Sequence, residues 1–115
     1  MNGSLEEFLA GRLPFPGLAA WSARLSDHTT TSHCYSDWFA AQQAEQTLGR
    51  LALAADSLGN HRIQPVRLSW VFEHARIYLG LRRDGACLAL FVENRPDLSP
   101  TAAENVLDEF AQLPA

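Results

Sequence analysis

Between Val66 and Glu93, apolar positions recur every second residue in three short runs, the period of β-strands. Two turns separate the runs. Arg83-Asp84-Gly85-Ala86 carries Asp-Gly between alternating apolar residues. That is a strong hairpin signal, because a two-residue type I′ turn needs positive φ at both central positions. This turn predicts Leu81 opposite Leu88, Leu79 opposite Leu90 and Ile77 opposite Val92. Tyr78–Phe91, Gly80–Ala89 and Arg76–Glu93 then pair on the other face. With His74-Ala75 as the upstream turn, Phe72 faces Ile77, Trp70 faces Leu79 and Leu68 faces Leu81. Both turns put Ile77, Leu79 and Leu81 on one face with Trp70 and Leu90. Trp70 reads as the anchor of that face, and Trp70→Ala costs about 3–5 kcal/mol if the ring is buried. The opposite face carries Val71, Tyr78, Ala89 and Phe91 beside Ser69 and Gly80. That face is too apolar for open solvent, so both sides of the sheet are expected to be covered.

Elsewhere the period lengthens to that of helices. Ser4 with Glu7 makes a capping box ahead of a short helix carrying Leu5, Phe8, Leu9 and Leu13. Pro14-Phe15-Pro16-Gly17 breaks it. Leu18 to Leu25 alternates as a strand, with Ala19, Trp21, Ala23 and Leu25 on one face. Ser26-Asp27-His28 turns the chain into a more polar strand, Thr29 to Cys34. Ser36 or Asp37 caps a long helix that Gly59 ends. Its apolar stripe is Ala41, Ala44, Leu48, Leu51, Ala55 and Leu58. Leu53 lies off that stripe with Gln42, Gln46 and Gly49, either as a lone exposed Leu or as a contact with a second subunit. Ser99-Pro100 starts a last helix with Ala103, Val106, Leu107, Phe110 and Leu113 on one face. The order α-β-β-α-β-β-β-α predicts an α+β fold: one five-stranded antiparallel sheet with helices on both faces, spanning 1–115 as a single domain.

Composition narrows the chemistry. The chain has no lysine, and all 9 of its basic residues are arginine. Schiff-base, P-loop and kinase-type lysine chemistry are therefore excluded. A net charge of −4 without a basic cluster argues against nucleic acid as a partner. No apolar run approaches the roughly 18 residues of a membrane span, and the N-terminus carries no basic-then-apolar leader. A cytoplasmic location without membrane contact is the expectation. Two cysteines, Cys34 and Cys87, make no disulfide scaffold and have no metal-ligand spacing.

Candidate sites are sparse. His28, His33 and Cys34 crowd the first hairpin, but a zinc site needs three or four convergent ligands. Ser26-Asp27-His28 holds the residue types of a hydrolase triad, yet neighbours in one turn cannot form the relay. No catalytic residue, cofactor or metal site is expected. In the predicted register Arg67 lies opposite Arg82, an unfavourable pairing of like charges, with Arg83 beside them. Either these arginines splay toward water or an internal acid, or Arg67, Arg82 and Arg83 receive an acidic partner group.

Four segments resemble the roadblock / dynein light-chain family, which shares the longin-like architecture. Pro16-Gly17-Leu18 looks like its Pro-Gly-aliphatic lead-in to the first strand. The Ala-rich stretch from Asp37 to Leu58 looks like its long central helix. Phe72-Glu73-His74-Ala75-Arg76-Ile77-Tyr78 resembles the hairpin before its fourth strand, and Arg83-Asp84-Gly85-Ala86-Cys87-Leu88 the turn into its last. The first hairpin departs from the family, whose turn is usually Asp-Gly-like. The resemblance implies a homodimer without catalytic residues that scaffolds or regulates a small Ras-like GTPase or a motor complex. Carried over by position, Gln46, Gly49, Arg50 and Leu53 line the helix contact, and Arg67, Ser69 and Val71 lie on or near the joined edge strand. Two other readings compete: a small acidic dimer resembling secretion chaperones, and a ligand-binding sensor. Three strands after Asn60 favour the roadblock order over the chaperone order. A sensor needs a pocket with convergent polar groups.

Overall fold

The computed structural model describes residues 2–13, 15–25, 27, 29–35, 41–60, 67–73, 75–82 and 85–112. Within its helices the side chains of residues 2–6, 41, 42, 45 and 55–60 are not described. The elements are α1 (Asn2–Arg12), β1 (Leu18–Arg24), β2 (Thr30–Cys34), α2 (Ala41–Asn60), β3 (Arg67–Val71), β4 (Ala75–Leu81), β5 (Cys87–Glu93) and α3 (Thr101–Ala111). The expected element order stands. The strands form one sheet in the order β2-β1-β5-β4-β3, every neighbour antiparallel. β5 is the central strand and β1 is interior beside it, and both are buried along nearly their whole length.

Helices cover both faces. Under α1 and α3 lie Leu18, Trp21, Ala23, Tyr78, Leu88, Leu90 and Val92, packed on Phe8, Leu9, Leu13, Val106, Leu107 and Phe110. Under α2 lie Ala20, Ile77, Leu79, Cys87, Ala89 and Phe91, packed on Ala44, Leu48 and Leu51. A bulge in β1 between Leu18 and Ala20 changes which residues share a face. Leu18 therefore joins Trp21 and Ala23 on the α1/α3 side, where alternation alone assigns Ala19.

The β4–β5 register differs from the expected one by a single residue. Arg82 N–H donates to the Ala86 carbonyl at 2.9 Å and Gly85 N–H to the Arg82 carbonyl at 3.1 Å. Three residues, not two, therefore separate the paired ends, and the last of them, Gly85, has φ 92°. A left-handed residue closing a three-residue loop is the G1-bulge solution, which Gly adopts without a Cβ clash. Leu81 thus faces Cys87, Leu79 faces Ala89 and Ile77 faces Phe91. Leu88, Leu90 and Val92 turn to the opposite side. Because β5 is apolar on both faces and both are covered, the changed register exposes none of these residues.

The β3–β4 hairpin closes one residue earlier than expected, with Phe72 N–H donating to the Ala75 carbonyl at 2.8 Å. This shifts the register by two and preserves the faces. Leu68 lies opposite Leu79, Trp70 opposite Ile77 and Arg67 opposite Gly80. The like-charge opposition of Arg67 and Arg82 is therefore not formed. Gly80 also lets α3 approach β4, since a Cβ there would lie 2.9 Å from Leu107 Cδ2.

Two helix starts are refined. α1 begins at Asn2, so Ser4 lies inside the helix rather than capping it. Pro100 flanks α3 with φ −70° and ψ −8°, and Ser99 Oγ accepts the Thr101 N–H at 3.2 Å. The proposed caps of α2, Ser36 and Asp37, and the last stripe residue of α3, Leu113, fall outside the described residues. α2 extends to Asn60, one residue past Gly59.

Candidate interaction surface

The width of the sheet sets the problem. Strands lie about 4.8 Å apart and a helix with its side chains is about 10–12 Å across, so one helix covers roughly two strands. The α1/α3 side has two helices for five strands. The other side has only α2 among the described residues. α2 packs on β1 and β2 and reaches β5, whereas α3 packs on β4 and β5. On α2's side the sheet is therefore closed from β2 to β5 and open toward β3. Leu68, Trp70 and Leu81 remain half-buried there. Trp70 is a shoulder of that core rather than its anchor, because the strand that carries it is the sheet edge.

Residues beside this opening are apolar and exposed. Leu53 on α2 is 70% exposed and Phe72 51%. Val71, 68% exposed, lies on the same edge strand with its side chain on the α1/α3 side, since it pairs with Arg76. Gln46 and Arg50 are exposed on α2 and Gly49 half so. A Cβ at Gly49 would sit 3.7 Å from Arg24 Nη2, in ordinary contact. Asn94 fixes the end of the hairpin. Its Oδ1 accepts Arg76 Nε–H at 2.9 Å, and its Nδ2 donates to the Phe72 carbonyl at 2.7 Å. Val71 and Phe72 are thus held in place.

The outer edge of β3 follows from hairpin geometry. Phe72 and Ala75 are hydrogen-bonded to each other, so Leu68 and Trp70, two and four residues back, also turn their backbone groups toward β4. Arg67, Ser69 and Val71 turn theirs outward. These are the three positions expected on the seam. Arg67 is spoken for at its tip, where its guanidinium pairs with Asp108 of α3. Its acid is therefore internal. Arg82 extends over Phe110, its Cζ 5.5 Å from the ring centroid. Arg83 lies outside the described residues, and the two described arginines do not converge on one site.

The first hairpin offers no catalytic geometry among the described residues. Cys34 is half-buried and Cys87 buried, and the two are not joined in a disulfide. No group of three His, Cys, Asp or Glu side chains converges on a metal-sized site among the described residues. Asp27 Oδ1 accepts the Thr29 N–H at 2.9 Å. The Thr29 hydroxyl first and this N–H second hold the Asp27 carboxyl below the usual carboxylate range. Ser26 and His28 lie outside the described residues. The pattern of apolar positions gave no sign of a hollow beside β2, where Trp21 Nε1–H donates to Tyr35 Oη at 3.2 Å. The cross-strand partnership of Trp21 with His33 was its available signal.

Among solved structures, this arrangement is similar to Myxococcus xanthus MglB, with a TM-score of 0.59 at 11% identity over 83% of this chain and 75% of that one. It is equally similar to the Roadblock/LC7 domain from Streptomyces avermitilis, with a TM-score of 0.59 at 15% identity over 90% of this chain and 91% of that one. The chain has the roadblock fold. No family model and no curated protein sequence matches it. In this roadblock fold the departure noted in the first hairpin is one of turn chemistry. Leu25 N–H still donates to the Thr29 carbonyl at 2.8 Å, and β2 pairs with β1 through five registered positions. No helix among the described residues is long and apolar enough to cross a membrane.

Proposed function

We propose that this chain is a non-catalytic, cytoplasmic homodimeric interaction module that scaffolds or regulates a small Ras-like GTPase. The observation that carries the reading is the half-covered α2 face running out to the β3 edge. A second copy related by a two-fold axis supplies what is missing. Its α2 covers the β3–β4 half of the face, and its β3 pairs with the open backbone groups of Arg67, Ser69 and Val71. Antiparallel pairing about Ser69 sets Arg67 of one subunit opposite Val71 of the other, so the arginine stem covers the exposed valine. Leu53, Gln46, Gly49 and Arg50 then lie along the helix contact. Pairing also removes an edge that otherwise invites aggregation.

The GTPase rests on the likeness to MglB and to a roadblock domain, together with the resemblance in the sequence. The direct test is capture of GTPases encoded in the same genome, each loaded with GDP or a non-hydrolysable GTP analogue. Retention dependent on the nucleotide supports the reading. Equal failure of every GTPase and both nucleotide states, with the dimer intact, overturns the partner while leaving the dimer.

A further inference from the structure

The hollow between α1 and β2 lies on the opposite face and the far edge from the proposed seam. Its volume is about 300 Å³, and it opens to solvent beside Leu9, Ala10, Trp21, Thr31, His33 and Tyr35. Small-molecule sites run from roughly that size upward, lined by aromatic and aliphatic groups with a few placed polar atoms. Three rings are arranged together here. Trp21 is 8% exposed and its N–H is fixed on Tyr35 Oη at 3.2 Å. His33 meets Tyr35 edge-on, with centroids 4.6 Å apart and planes at 67°. The strand holds them in place, since Trp21 pairs with His33 and Tyr35 N–H donates to the Ala19 carbonyl at 2.8 Å.

The chemistry of the lining selects a class of ligand. An indole N–H only donates, so Tyr35 Oη accepts from Trp21 and its own O–H is left to donate. No carboxylate or guanidinium lines the hollow among the described residues. We propose that the hollow binds a neutral aromatic small molecule of one or two rings, which packs against Trp21 and His33 and accepts a hydrogen bond from Tyr35. This site is independent of the dimer seam, and it gives the chain a sensor-like capacity in addition to its scaffold role.

Benzamide is the probe, because it is neutral, has one ring and carries a carbonyl acceptor. Titration followed by amide NMR shifts is expected to move resonances of residues 9, 10, 31, 33 and 35, with saturation in the millimolar range or below. Cyclohexanecarboxamide tests the ring and benzoate tests the charge, and both are expected to bind more weakly. Tyr35→Phe weakens benzamide by about 2- to 10-fold, the worth of one hydrogen bond. Ala10→Trp, at an exposed helix position, fills the hollow and abolishes the shifts while the circular dichroism stays native. The proposal is overturned if benzamide moves none of these resonances, if benzoate binds as well as benzamide, or if folded Ala10→Trp still binds.

Discussion

On the side of α1 and α3, Leu88, Leu90, Leu107 and Phe110 are at most 1% exposed. On the side of α2, Leu48, Leu79 and Phe91 are as deeply buried, but Leu68, Trp70 and Leu81 stay half-open and Leu53 is 70% exposed. The strands are the same, and the number of helices laid across them differs. The first face completes its core within one chain. The second completes it over β1 and β5 and leaves the β3 side for something else. Burial along a strand thus reports how many helices the chain has to spend on each face, as well as which residues are apolar.

The largest contrast comes from substituting one residue on each face. Leu107→Ala removes a fully buried side chain and should cost about 2–5 kcal/mol of folding stability. Because that core is internal, the loss measured by urea denaturation should be the same at low and high protein concentration. Trp70→Ala should cost less than Leu107→Ala in a dilute sample, since the ring is only half-buried without a partner. Its cost should grow with concentration, because the wild-type midpoint rises as dimer forms and the variant's does not. A Trp70→Ala cost independent of concentration would erase the distinction between the faces.

A smaller effect separates the helix from the contact it offers. Gly49→Ala meets only Arg24 at an ordinary 3.7 Å and removes a glycine from a helix interior. It should raise subunit stability by about 0.5–1 kcal/mol in thermal unfolding. A loss instead would mean that α2 packs more tightly there than the structure shows. The smallest effect lies away from both faces. Asp27 is held below the usual carboxylate range by the Thr29 hydroxyl and then by the Thr29 N–H. A lowered carboxylate pKa favours the folded state above the unfolded-state value and is lost as pH falls through the folded one. Thr29→Val should move the Asp27 titration upward by NMR, with no change in subunit association.

How much of this was legible depended on whether a residue's neighbours constrained it. The element order and the cover on both faces could be read from alternation and from the 3.6-residue stripes. The proposed seam positions on β3 came from a family resemblance, and strand geometry turns their backbone groups away from β4. The β4–β5 register was not legible. Leu88, Leu90 and Val92 are apolar, as are Cys87, Ala89 and Phe91, so hydrophobicity does not distinguish the two faces of β5. An Asp-Gly turn suits a two-residue loop, yet Gly85 in a three-residue loop also satisfies the local chemistry. The Arg67–Asp108 pair joins residues 41 apart in sequence, and nothing local announces it. The hollow beside β2 likewise arises from how α1 crosses the sheet, which no periodicity encodes.

The seam itself is tested most directly by sedimentation equilibrium of the wild type and of Leu53→Arg at micromolar concentration. Leu53 is exposed in the subunit, so arginine there should leave its fold intact while placing charge in the helix contact. The prediction is a wild-type mass twice the 12.7 kDa of the chain and a folded Leu53→Arg near 12.7 kDa. A wild type that sediments as a monomer at that concentration, or a Leu53→Arg variant as dimeric as the wild type, would contradict the assignment of this face.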